Sequence, residues 1–177
     1  MAKRIKRKSN SGSSAGLRIE RVPVGDIRPH PRNPRVHDEA NLRAIAASLE
    51  EFGQRTPIVV WSKKNYIIKG CGTWQAISEI LEWVEVDVVR AEGLTEKQAL
   101  AYAVADNKTT DMSSFDFDAV ASILGEAVDA GVRLEATGFT EEEVQPLLQT
   151  EAPEAFAEYD EDLEVEHVCP KCGYEWS

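Results

Sequence analysis

Along this chain the spacing of apolar positions switches between the period of a strand and that of a helix, and it predicts a short series of both. Residues 17–24 alternate and predict a first strand, and the β-branched runs at 57–61 and 66–69 predict a second and a third. Residues 84–89 predict a fourth, apolar enough throughout to lie inside a sheet. Leu42, Ile45, Ala46 and Leu49 recur at helical spacing behind Asp38 as a cap, and that helix is expected to stop at Gly53. Further helices are expected over 74–81 and over 96–105, the latter capped by Thr95 and broken near Asp106 and Asn107. Two more, over 116–130 and 140–148, each follow an Asp or Thr cap, with Gly131 and Gly138 in the joining segment.

Two connections stand out in this pattern. The run IRPHPRNPR (27–35) holds three prolines, which forbid a regular helix and predict an extended loop carrying Arg28, Arg32 and Arg35. The segment IIKGCGTWQA (67–76) reads as a strand, a tight glycine turn and a helix, with Gly70 and Gly72 bracketing Cys71. Such a turn lets backbone N–H groups approach a ligand closely, and the following helix directs its positive end at the same point, which suits an anion such as phosphate. A cysteine there is expected to have a stabilised thiolate. The alternative is an ordinary strand-to-helix connection with a small buried cysteine.

Composition bounds these readings. With 177 residues and 42% apolar content the chain can bury one domain of ordinary size and carry tails. No apolar run is long enough to span a bilayer, and the opening MAKRIKRKSNSGSSAG is basic without the apolar stretch of a secretory signal, so a cytoplasmic setting is expected. In a reducing compartment the three cysteines are thiols or metal ligands rather than a disulfide framework. A net charge of −11 argues against a protein that coats nucleic acid with one basic face. The charge is polarised, however. Residues 1–35 hold 10 of the 20 Lys and Arg and 2 of the 31 Asp and Glu, while 134–166 hold no Lys or Arg. Lys3, Arg4, Lys6, Arg7 and Lys8 could then contact DNA phosphates without sequence preference, or simply solubilise a flexible arm. The expected organisation is a basic arm (1–16), a core (17–111), a helical extension (112–148), an acidic linker (149–166) and a cysteine-bearing tail (167–177).

Taken in order, IRPHPRNPR, SLEEFGQRTPIVV, IIKGCGTWQAISEI and ALAYAVADNKTTD resemble the ParB N-terminal domain, also called the ParB-like nuclease domain, of the ParB/sulfiredoxin fold. The resemblance covers residues 17–148 and is closest to versions from phages and mobile elements, which often accompany DNA methyltransferases. It implies an α/β (α+β) fold with a small mixed sheet and packed helices. In partitioning ParB proteins the glycine turn reads Gly-Glu-Arg-Arg and binds nucleotide phosphates; the matching residues are Gly70, Cys71, Gly72 and Thr73, without either arginine. In sulfiredoxin the same turn carries the catalytic cysteine followed by His and Arg, and Cys71 matches that cysteine alone. A second phosphate-contacting segment, Glu-Asn-x-Gln-Arg, is matched by Asp106, Asn107, Lys108, Thr109 and Thr110. Gln54, Arg55 and Thr56 match the loop that lines base and sugar, where Arg55 stands in for a lost arginine.

The resemblance implies a nucleotide site for CTP or ATP with Mg2+ on Gly70–Thr73, in which Asp106 and Asn107 organise metal or water. The alternatives are a metal-dependent nuclease, phosphotransferase or triphosphatase with Asp106 and Asp111 as its acidic candidates and Asn107 beside them, a sulfiredoxin-like thiol activity at Cys71, and a domain that has kept the fold as a non-catalytic protein-interaction module. Implied partners are DNA, a methyltransferase or other phage protein, and a second copy of the chain. The C-terminal EHVCPKCGYEWS is a separate motif. Cys169 and Cys172 have the spacing of one zinc knuckle, with His167 beside them. Closing a tetrahedral Zn2+ site would take a second copy, a distant histidine or a further segment.

Overall fold

The structure, a computed structural model, describes residues 17–148 and 167–176. Strands β1 (Ile19–Pro23), β2 (Arg28–Pro29), β3 (Ile58–Trp61), β4 (Tyr66–Lys69) and β5 (Glu85–Ala91) form one mixed sheet in the order β1-β5-β3-β4-β2. β5 runs antiparallel to β1 and parallel to β3, so the apolar strand anticipated at 84–89 is flanked on both sides. β3 and β4 are antiparallel and β2 adds in parallel at the edge. The first strand is shorter than its alternation suggested, because the chain turns through a 3-10 turn at Val24–Asp26.

Alternation along the strands divides the core into two layers. Ile58, Val60, Ile67, Val86 and Val88 point to one face and pack on α1 (Glu39–Phe52) and α2 (Cys71–Ala76) through Ala46, Leu49, Cys71, Ala76 and Ile77. Trp61 and Ile68 point to the other and meet Ala99 and Ala103 of α3 (Glu96–Asp111). Small residues on α3 let it lie close, and the indole N–H of Trp61 finds a partner in the Leu94 carbonyl at 3.0 Å. α4 (Phe117–Asp129) and α5 (Glu141–Leu148) pack on each other, and a 3-10 turn at Leu134–Thr137 seats against α1. Arg133 fastens that turn by ion pairs to Glu51 (2.9 Å) and Glu50 (3.3 Å).

The caps at Asp38, Thr95, Asp116 and Thr140 accept backbone N–H groups as anticipated, Thr95 within a reciprocal capping box with Gln98. Two boundaries differ. The helix after the glycine turn starts at Cys71 and not at Trp74, since the Gly70 carbonyl already closes its first turn on the Trp74 N–H at 3.0 Å. That first turn holds Cys71, Gly72 and Thr73, which give no apolar period. α3 does not break at Asp106-Asn107 but runs on to Asp111. The polar side chains there bond within the helix: Asn107 Nδ2 donates to the Ala103 carbonyl at 2.8 Å, and Thr110 Oγ1 donates to the Asp106 carbonyl at 3.0 Å.

Candidate functional site

Gly70 links β4 to α2 with φ +88, a left-handed conformation that an L side chain rarely adopts. Gly72 is required for a different reason. A Cβ at this position would lie 2.7 Å from His37 Cε1 and 2.9 Å from Ile45 Cδ1, so only glycine lets the 30–38 loop close onto the turn. The result is a cavity of about 130 Å3 lined by the turn residues Gly70, Cys71, Gly72 and Thr73, by Asp106 and Asn107 of α3, and by Asn33, Arg35, His37 and Lys69.

The basic side chains at this cavity are each held by a partner. Lys69 Nζ lies 2.7 Å from Asp106 Oδ1, and this hydrogen bond raises the lysine above its ordinary pKa. Arg35 Nη1 sits 3.0 Å from both oxygens of Asp111 at the end of α3. His37 Nδ1 donates to Asn41 Oδ1 at 2.7 Å. α3 is thus tied to the loop by the Arg35–Asp111 pair and to the end of β4 by the Lys69–Asp106 pair, each open enough to water to exchange partners.

Cys71 departs from the expectation of a stabilised thiolate. Its side chain is 7% exposed, and burial pushes the thiol up to about 11. Among the described residues the sulfur's hydrogen-bond partner is the Ile67 carbonyl, at 4.0 Å, and no cation offsets its burial. The side chain fills the layer between sheet and α1, so the backbone of the turn faces the cavity while its sulfur belongs to the core.

The sequence segments expected to share one pocket are only partly brought together. Gly70–Thr73 meets Asp106 and Asn107; Gln54, Arg55 and Thr56 lie elsewhere. The Gln54 amide pairs with β5, donating to the Asp87 carbonyl and accepting from its N–H, both at 2.8 Å. Gln54 lines a separate groove with Arg21 and Asp87, and Thr56 lines another with Val59, Leu94 and Tyr102. Arg55 and Lys108 are exposed. Of the loop arginines, Arg28 stacks 5.2 Å from the Tyr66 ring centroid, Arg32 is exposed, and Arg35 turns toward the cavity. Lys3, Arg4, Lys6, Arg7 and Lys8 lie outside the described residues, as does the expected linker at 149–166. Sequence reasoning missed Asn33, His37 and Lys69 as neighbours of the turn. Lys69 was legible as the last residue of the strand that enters it; His37 was not, since it comes from a distant loop.

Comparisons with known proteins now bear on this arrangement. The sequence matches the ParB N-terminal domain family over residues 8–108. The chain belongs to this family. It is 31% identical over 85 residues to the ParB-like nuclease domain-containing protein YnaK of Escherichia coli (strain K12), covering 48% of this chain and 95% of that protein. Among solved structures it is similar to the C-terminally truncated chromosome-partitioning protein ParB from Caulobacter crescentus complexed with CTP-γ-S. That similarity has TM-score 0.60 and 18% identity, and covers 73% of this chain and 76% of the other. A Pnob8-like ParB-N domain aligns with TM-score 0.45 and 15% identity over 70% of this chain and 49% of its own. The fold is therefore shared with the Caulobacter ParB. Among the described residues no helix is long and apolar enough to cross a membrane.

Proposed function

We propose that this ParB-domain chain is a nucleotide-binding, DNA-associated module in which the phosphates of a nucleoside triphosphate lie against the Gly70–Thr73 turn. The observation that carries this reading is the convergence of Lys69 and Arg35 on that turn, with His37 beside them. Lys69 and Arg35 replace, from strand and loop, the positive charge that the turn itself lacks. The CTP-γ-S complex of a ParB with the same fold supports the ligand class. A volume of about 130 Å3 lies below the roughly 300–1,000 Å3 of pockets for drug-sized ligands, so the cavity suits phosphate groups and leaves base and sugar outside it.

Mg2+ neutralises a triphosphate and usually takes one or two protein carboxylates. Asp106, with Asn107 beside it, is the donor pair at this cavity, and Asp106 fits that role in competition with Lys69. Asp106 and Asp111 each pair with a cation, an arrangement that supports binding over turnover. DNA association rests on Arg28 and Arg32 at the surface of the proline-rich loop and on the basic composition of residues 1–16; such contacts are salt-sensitive and blind to sequence.

Isothermal titration of the chain with CTP, ATP and GTP, with and without Mg2+, tests the reading. Saturable binding of at least one nucleotide is expected. Absence of binding up to about 1 mM, or ~4 kcal/mol, would sink it.

A further inference from the structure

The tail at His167–Trp176 plays no part in the nucleotide reading, yet it has a defined shape. β6 (His167–Val168) pairs antiparallel with β7 (Glu175–Trp176), His167 opposite Trp176 and Val168 opposite Glu175. The connecting turn is closed by the Cys169 N–H donating to the Tyr174 carbonyl at 2.8 Å and the Gly173 N–H donating to the Cys169 carbonyl at 2.9 Å. Gly173 takes φ +75, the left-handed step that lets the chain turn back behind the second cysteine.

Cys169 and Cys172 stand three positions apart on this closed turn, the first half-buried and the second exposed, and neither is in a disulfide. Two free thiols carried by one tight hairpin turn are the arrangement of half a thiolate metal site. Soft sulfur ligands in a tight turn select Zn2+ over hard cations.

We infer that Cys169 and Cys172 are half of a tetrathiolate Zn2+ site whose other half is the same pair from a second copy of this chain. A structural Zn2+ takes four ligands, and among the described residues no group of three or more His, Cys, Asp or Glu side chains is gathered to hold a metal. The distant candidates are committed elsewhere. Cys71 is buried in the core, His30 is 4% exposed with Nδ1 accepting from the Arg32 N–H, and His37 is bonded to Asn41. A two-fold axis through the ion brings two identical knuckles together and completes the tetrahedron without further residues. Four thiols lose their protons to solvent as the ion binds, leaving a net charge of −2 on the centre, and Lys171 from each copy supplies the compensating charge.

Zinc content and Co2+ titration of the purified full chain test this, beside Cys169→Ser and Cys172→Ser variants. The expected result is one zinc per two chains. Co2+ should give tetrahedral thiolate absorption bands saturating at half an equivalent, and either substitution should abolish them. One metal per chain would place all ligands within a single copy and overturn the proposal. Absence of zinc together with absence of Co2+ thiolate bands would overturn it as well, as would bands that persist in Cys169→Ser. Neither readout depends on nucleotide binding.

Discussion

The two glycine-flanked cysteine turns put the same residue type to opposite uses. At Gly70–Gly72 the cysteine side chain goes into the core, 7% exposed, and burial raises its thiol to about 11. At Cys169–Gly173 the sulfur stays near water and accepts N–H groups from Lys171 and Cys172, which lower the Cys169 thiol below its ordinary value. The difference is where the amides are spent. In the knuckle they serve the chain's own sulfur. In the ParB turn they are left, with Lys69 and Arg35 beside them, for something the chain does not itself supply. A glycine turn bearing a cysteine thus identifies neither a thiol site nor an anion site until the direction of the side chain is known.

Thiol reactivity should separate the two turns most widely. At pH 8 a thiol with pKa about 11 has roughly a hundredth of the thiolate of an ordinary one near 9, so a disulfide reagent should modify Cys169, whose thiol is lowered, at least about a hundredfold faster than Cys71 in the metal-free chain. Equal rates at the two would erase the contrast. The same shift has a sign in stability. The folded state holds the Cys71 proton more tightly than the unfolded chain, so its contribution is complete below about pH 9 and fades as pH rises toward 11. The span is up to about 3 kcal/mol, read as the difference between wild type and Cys71→Ala in urea melts across that window.

Gly72→Ala probes the turn from its other side. The added methyl would strike His37 and Ile45, and overpacking of this kind costs about 1–3 kcal/mol. The melt should show that loss together with weakened nucleotide binding, whereas Gly25→Ala, with open space around the position, should change neither. The smallest effect is expected at the mouth. Asp111→Asn releases Arg35 from a surface ion pair worth at most about 1 kcal/mol and should tighten nucleotide binding by up to about fivefold, measured by titration. Weaker binding in that variant would mean that Arg35 needs Asp111 to be held in place.

Much of this was legible in the residues. Period, caps and β-branched runs placed four of the five strands and the helices, because these strands bury alternate faces and the caps at Asp38, Thr95, Asp116 and Thr140 act locally; β2, at Arg28–Pro29, lies in the proline-rich run read as a loop, since two residues carry no period. What failed was non-local. Asp106 and Asn107 looked like a helix end because their side chains favour turns, but Asn107 bonds back to Ala103 and Asp106 reaches Lys69 from a different element. The Cys71 thiolate was misjudged because a helix start favours the anion and burial opposes it, and burial depends on α1 packing over the turn. Gln54 has the right position in the chain for a ligand loop, yet its amide pairs with the Asp87 backbone of β5 where β3 has not yet begun.

We propose that the Gly70–Thr73 turn works through cations and backbone and not through its thiol. Titration of the tightest-binding nucleotide into Lys69→Gln and Cys71→Ala, both confirmed folded by melting, separates the two. At least tenfold weaker binding is expected for Lys69→Gln, about 1.4 kcal/mol, and a change within about twofold, roughly 0.4 kcal/mol, for Cys71→Ala. Unchanged affinity in Lys69→Gln with loss of binding in Cys71→Ala would contradict it.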